Sequence, residues 1–223
     1  MRTRIQVLGW AFIWSGLFIF GYLGWQVFVT DLLNNGVQAR EQEDLAVAIA
    51  DAPSLPVQEV DVPPGTPGTP TITFTPEEAP GFGEAFAFIR IPEIEVDQVV
   101  FAGVDTRTLR SGPGHMPGTP VPGQPGNAVI SGHRTTYGSP FHNLDLLEAG
   151  DRIEVETFAG THIYEVREIQ IVRPTDIWVA QHRDGGWLTL TTCHPKFSAR
   201  QRLVVSAELV EGPNYAYIHL QNS

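Results

Sequence analysis

The sequence predicts a mainly β fold, a closed barrel or sandwich of about seven or eight short strands, carried on an N-terminal membrane helix. Three observations lead there. Apolar and polar residues alternate with period two in short blocks from Phe86 onward. The 223 residues include 22 glycines and 18 prolines, which break helices and make turns. The chain also opens with an apolar run, Ile5 to Val29, that holds no charge.

That run comes first. Twenty-five helical residues span about 37 Å, enough to cross a hydrocarbon core of about 30 Å with some tilt. Trp10, Trp14, Tyr22 and Trp25 supply interfacial anchors. The run exceeds a signal-peptide core, and no small-x-small cleavage pattern follows Val29, so an uncleaved anchor is expected. Arg2 and Arg4 precede it and acids follow it. The positive-inside rule then leaves residues 1–4 in the cytoplasm and everything after the anchor outside.

Residues 30–84 read as an acidic, Pro-rich stalk. Gln38 to Asp51 has helix-forming composition and is expected to extend from the anchor as a short helix. Eight prolines then fall between Pro53 and Pro80, interleaved with Gly, Thr and acids. Such a segment buries too little apolar surface to offset its ordering entropy, and at about 3.1 Å per residue it would hold a domain up to about 100 Å from the bilayer. Charge follows the same division. Of the net −11, residues 31–84 carry −9 and residues 85–223 only −4.

The domain is expected at 85–211, followed by a tail at 212–223. Phe86–Ile91 and Val96–Phe101 read as strands separated at Pro92. Ala128–Gly132 is a short buried strand between Gly/Pro turns. Ile153–Phe158 and Tyr164–Val172 form a hairpin about Gly160, and Trp187–Cys193 and Arg202–Leu209 are two more strands. The only helical candidate in the domain lies near Pro140 to Leu147.

Composition excludes some functions. An acidic chain offers no basic surface to neutralise nucleic-acid phosphates. One cysteine, Cys193, allows neither an internal disulfide nor a Cys-based zinc site, and no H-E-x-x-H spacing appears, so no metal or cofactor is expected. A lone cysteine outside the cytoplasm is either inert core or a thiol with a use. Cys193 ends a strand, and alternation places it opposite Leu188 and Leu190. If the flanking strands pair, Arg202 opens the second where Cys193 closes the first, and a guanidinium there would favour a thiolate or an oxyanion. A base is still needed. His194 is adjacent to Cys193 and points to the other face. His162 in a hairpin turn, His182 in a loop and His219 in the tail read as surface residues, and His115 lies in a Gly/Pro turn. His133 follows a buried strand and is placed for catalysis, with structural capping as the alternative.

Here the residues resemble a family. Ile91-Pro92, the block Leu109 to Thr119 (LRSGPGHMPGT), Pro122 to Asn127 and Ile130-Ser131-Gly132-His133-Arg134 are similar to successive blocks of the sortases. Leu188 to Cys193 (LTLTTC), with Arg202 nine residues on, is similar to the sortase active-site signature. His133 to Tyr137 (HRTTY) and Thr191 to Ser198 (TTCHPKFS) look most like class E. The resemblance covers roughly Ala85 to Val210 in order. It implies an eight-stranded barrel with one or two short helices, and a cysteine transpeptidase that cuts the Thr–Gly bond of a C-terminal sorting signal. Cys193 would be the nucleophile, His133 the proton carrier and Arg202 the holder of the carbonyl oxygen or substrate backbone. Thr192 would aid the oxyanion through its hydroxyl or backbone, and Tyr137 would contact the sorting peptide; packing roles remain open for both. Implied partners are sorting-signal-bearing secreted proteins, with Leu-Ala-x-Thr-Gly associated with class E, and a cell-wall amine acceptor. A hydrophobic segment after Leu209 and a lid motif before Phe86, which pilus-type members carry, are not expected.

Two other readings compete. The L,D-transpeptidase pattern wants Gly before the cysteine, where Thr192 stands, and Arg or Asn two residues after it, where Pro195 stands. A non-catalytic membrane-tethered β-domain that binds wall components needs only that Cys193 be unused.

Overall fold

The strands expected from period two form, with one addition, a closed barrel. A computed structural model describes residues 2–60 and 72–221. In chain order the elements are α1 (Arg2–Asp51), β1 (Gln58–Val60), β2 (Ile72–Phe74), β3 (Ala85–Ile91), β4 (Val96–Ala102), α2 (Thr106–Ser111), β5 (Gly114–His115), β6 (Gly126–Ser131), β7 (Arg152–Thr157), β8 (Gly160–Val172), β9 (Gly186–His194), β10 (Gln201–Glu211) and α3 (Tyr215–Gln221). Short 3-10 turns lie at Pro92–Ile94, Leu144–Leu146 and Ile177–Ala180. Eight strands close in the order β10-β8-β7-β3-β4-β5-β6-β9, and β1 pairs with β2 outside the barrel.

Inward residues of alternating strands fill the interior: Phe86, Ile89 and Ile91 of β3, Ile130 of β6, Ile153 and Val155 of β7, Tyr164 and Val166 of β8, Leu188 and Leu190 of β9, Leu203 and Val205 of β10. Phe141 and Leu144 plug one end. The sequence places a helix near 140–147; only the 3-10 turn Leu144–Leu146 forms, because both ends of that segment are pinned as loop. The Phe141 amide donates to the His133 carbonyl, and the Glu148 amide donates to Asp151.

The segments flanking the barrel follow expectation in part. The helix that begins in the apolar run continues unbroken to Asp51, taking in the helix expected over Gln38 to Asp51. Its last turns lie on the barrel: Leu45 and Ile49 pack against Phe88, Val99, Phe101 and Phe158. This explains why β3 and β4 are apolar on both faces. The stalk expected at 30–84 is therefore partly bound. Thr75 exchanges hydrogen bonds with buried Asn214, and Glu77 accepts from the Thr157 hydroxyl and the Phe158 amide. The proline-rich centre of that stalk, residues 61–71, lies outside the described residues. Within the expected tail, α3 forms and buries Ile218 in the core.

His115, read as a turn residue, is instead in β5, the strand that closes the barrel between β4 and β6. His162, read as a surface residue in a turn, is fully buried in β8. It shares the inward phase with Tyr164 and Val166, so strand alternation governs it rather than the turn two residues before.

Candidate active site

Three adjacent strands position the candidate residues. β6 and β9 pair in parallel with Ser131 opposite Thr191. β9 and β10 pair antiparallel with Thr191 opposite Val204 and Cys193 opposite Arg202. Ala128, Ile130, Leu188, Leu190, Leu203 and Val205 face the core, so Ser131, Thr191 and Val204 form a row on the outer face. The Ser131 and Thr191 hydroxyls hydrogen bond at 2.8 Å within that row.

Continuing the register by two residues gives the next row: His133, Cys193, Arg202. The Gly132 amide still donates to the Thr191 carbonyl at 3.0 Å, so β6 remains on register as it leaves the sheet. Neighbouring strands lie about 4.8 Å apart, which puts the half-buried Cys193 between His133 on one side and Arg202 on the other. The Arg202 guanidinium is held over the β9–β10 turn, donating to the carbonyls of Ala199 and Gln201 at 3.1 and 3.0 Å.

The imidazole of His133 is half-buried and its Nε2 has no hydrogen-bond partner among the described residues. Burial, with the positive charge of Arg110 adding to it, pulls its pKa below the ordinary histidine value. Tyr137, in the left-handed region at φ 52°, packs its ring 5.1 Å from that of His133. Arg110 Cζ lies over the Tyr137 ring, 5.4 Å from its centroid. Thr192 faces inward, 3% exposed, and its hydroxyl donates to the Gly132 carbonyl at 2.7 Å. That hydroxyl therefore ties β9 to the His133 loop and does not point at the outer row.

One residue that sequence reasoning passed over holds the site together. Arg134 is 2% exposed, and its Nη1 donates to the Cys193 carbonyl at 3.2 Å and to His194 Nδ1 at 2.9 Å. Its Nη2 pairs with Asp145 at 2.8 Å. In return, His142 Nδ1 donates to the Arg134 carbonyl at 2.8 Å. An arginine is fixed in its charge, so His194 Nδ1 must be the acceptor and is unprotonated. A guanidinium can satisfy three acceptors in one plane, and here it locks the residue after His133 to the backbone of Cys193. The sequence signal was present, since Arg134 follows a buried strand and Asp145 lies eleven residues on, but its Cys193 and His194 partners lie about sixty residues away.

A thiol, an imidazole and a guanidinium on neighbouring strands are the residue types from which a nucleophile, a proton carrier and a partner for developing negative charge can be built. Among the described residues no three His, Cys, Asp or Glu side chains cluster as metal ligands.

Comparison with known proteins gives a consistent result. A family model described as the sortase domain matches residues 89–210. Sortase SrtE1 of Streptomyces coelicolor is 31% identical over 145 residues, covering 58% of this chain and 41% of its own. The structure of a point mutant of sortase E from Streptomyces avermitilis is 32% identical, with a TM-score of 0.53, over 59% of this chain and 91% of that one. Sortase C of Clostridium perfringens, solved with the C-terminal cell wall sorting motif, is 27% identical with a TM-score of 0.56, over 59% and 73% of the two chains. The chain spans about half the length of the curated relatives it matches.

Proposed function

The chain belongs to the sortase family, and from that premise we propose that it is a membrane-anchored cysteine transpeptidase acting on C-terminal sorting signals. It cleaves the Thr–Gly bond of a Leu-Ala-x-Thr-Gly or Leu-Pro-x-Thr-Gly signal and passes the new acyl end to a cell-wall amine. The observation that carries this reading is the outer-face row of Cys193 between His133 and Arg202.

The chemistry follows from the residue types. At ordinary pKa values, pH 7 leaves about 3% of Cys thiols ionised and about a quarter of His rings protonated, so an uncoupled pair is doubly ionised in roughly 1% of molecules. Burial and the charge of Arg110 hold His133 toward its neutral form, so the imidazole is the base that takes the thiol proton as the thiolate forms. The Cys193 thiolate attacks the threonine carbonyl carbon, and the carbonyl π pair becomes an oxyanion facing Arg202. As that pair returns, the C–N bond breaks and His133 gives its proton to the departing glycine amine, leaving a thioester and neutral imidazole. An incoming amine then adds to the thioester carbon. His133 takes its proton, the C–S bond breaks, and the thiolate–imidazolium pair is restored.

The Nε2 of His133 is buried and bound to no hydrogen-bond partner among the described residues, so no competing hydrogen bond holds it. Tyr137, packed on that ring, contacts the sorting peptide, and Thr192 supports the loop from beneath. The sorting motif held by the Clostridium perfringens sortase C supports the same class of substrate here. Gln6–Trp25, the one apolar helix long enough to span a bilayer among the described residues, supports the anchor. Arg2 and Arg4 ahead of it favour a cytoplasmic N-terminus and an outward barrel.

The test is direct. A methanethiosulfonate reagent labels Cys193 in the folded protein, and Cys193→Ala abolishes release of glycine peptide from both signal types, read by mass spectrometry with defined amine acceptors. Cleavage that survives Cys193→Ala, or a thiol that the reagent does not reach, ends the transpeptidase reading.

A further inference from the structure

We propose that the barrel end carrying Cys193 faces the bilayer that α1 crosses, and that the β9–β10 turn touches anionic lipid headgroups there. This rests on the reading above that Gln6–Trp25 spans the membrane.

The direction in which α1 lies along the barrel sets the orientation. Gln42 donates to the Asp97 carbonyl, Gln38 bonds both the amide and the carbonyl of Val99, and Asn34 donates to the carbonyls of Arg110 and Ser111. Followed back toward its apolar half, α1 therefore climbs β4 from its start and arrives at α2. The end of β4 pairs with β5 at Gly114, and Gly114 pairs with Ser131, two residues before His133. A Cβ placed on Gly138 would stand 2.3 Å from Asn34 Oδ1, so the loop bearing His133 and Tyr137 also meets α1 at Asn34. The rim nearest the span is thus the rim that holds Cys193.

Height follows from helix geometry. The apolar segment ends at Trp25 and the helix runs on without a break. Nine residues to Asn34 rise about 14 Å, of which the headgroup layer takes about 5–8 Å. The remaining gap is short, and the β9–β10 turn projects into it. Its tip lies some three residues beyond the Cys193–Arg202 pair, a reach of about 10 Å.

The composition of that tip fits a lipid surface. Phe197 is 86% exposed and sits at φ 65°, a backbone region that bulky residues avoid. Nothing in the fold accounts for holding an aromatic ring there. Lys196 and Arg200 flank it, and Asp145, which lies 3.8 Å from Lys196, is already paired with Arg134. An aromatic ring between cations is the composition that settles at an anionic headgroup layer.

The test uses the full chain in nanodiscs of phosphatidylcholine and phosphatidylglycerol. Cys193→Ala removes the native thiol, and one bimane label is placed at Phe197→Cys, at Asp184→Cys or at Trp14→Cys. Asp184 lies just ahead of β9, so its label stands about 20 Å farther along the tilted barrel than Cys193. With headgroup nitroxide lipids, the label at 197 is quenched at least about twofold more than the label at 184, because nitroxides confined to that layer reach only groups at its level. Lys196→Glu with Arg200→Glu lowers that quenching. Equal quenching at 197 and 184, or stronger quenching at 184, overturns the orientation, and indifference to the charge reversal overturns the headgroup contact. The label at 14 separates the two failures. If acyl-chain nitroxides do not quench it, the spanning reading fails and the proposal with it; if they do and the label at 197 is untouched by headgroup nitroxide, only the orientation is wrong.

Discussion

His162 makes the barrel sensitive to acid. The ring is fully buried in β8, and Gly123 lies so close that a Cβ there would meet it at 2.1 Å. The Thr157 hydroxyl gives its proton to Glu77 at 2.6 Å, so the 3.2 Å contact between that oxygen and His162 Nε2 requires the ring to donate. Nδ1 is left bare and without a partner among the described residues. Burial lowers the pKa to about 4 from an ordinary value of 6.5. Since the folded pKa is the lower one, the unfolded chain takes the proton first as pH falls. Stability that His162 leaves intact above about pH 6.5 is lost progressively toward about pH 4, to a total of about 3 kcal/mol. Glu77 acts in the opposite sense: burial raises its carboxyl, so the stability it adds is present at low pH and lost as pH rises, which softens the slope. Denaturant unfolding of the full chain in detergent, repeated between about pH 7 and about pH 4, measures the sum. His162→Gln keeps a donor for Thr157 and removes the titration, so its profile flattens by about 3 kcal/mol over that window. Parallel profiles for the two proteins would refute the argument.

Four further outcomes follow from the site. Arg134→Met frees the Cys193 carbonyl and the His133 loop from each other, and kcat/KM for sorting-peptide cleavage falls by about 10- to 100-fold while methanethiosulfonate labelling of Cys193 persists. Arg134→Lys recovers the pairing with Asp145 but little of the activity, because an ammonium cannot serve three acceptors in one plane. Thr192→Val strips the buried Gly132 carbonyl of its side-chain donor and lowers stability by about 1–3 kcal/mol in denaturant titration. Arg110→Gln removes a positive charge near His133, so the histidine pKa rises; the limb of the pH–rate profile that reports it moves upward, and by less in high salt.

Local rules made much of this molecule readable. Period two found six of the eight barrel strands, and a short apolar run between Gly/Pro turns marked a seventh, β6. The eighth, Gly114–His115, is two residues long and has no period to detect. Cys193 and Arg202 were readable as a pair because one hairpin joins them, and antiparallel register follows from the turn. His133 needed more, since its place beside Cys193 depends on a parallel pairing across about sixty residues. Arg134 was passed over for the same reason: Asp145 is near in sequence, but the Cys193 carbonyl and the His194 imidazole come from about sixty residues away. The stalk was misjudged because composition reports what a segment can bury by itself. Thr75, Glu77, Gln38 and Leu45 are ordered by surfaces that the barrel and α3 supply.

The parallel pairing of β6 with β9 also has a consequence for when reactivity appears. Parallel neighbours cannot be joined by a tight turn, and here β7 and β8 must both be laid down before β9 can slot between β6 and β10. Synthesis therefore delivers the imidazole long before the thiol, and the two meet only at the step that shuts the barrel. Loop-closure entropy makes such a distant pairing a late event in folding. A half-made chain thus holds His133 without Cys193, and a complete but half-folded chain holds the two apart until the ring closes.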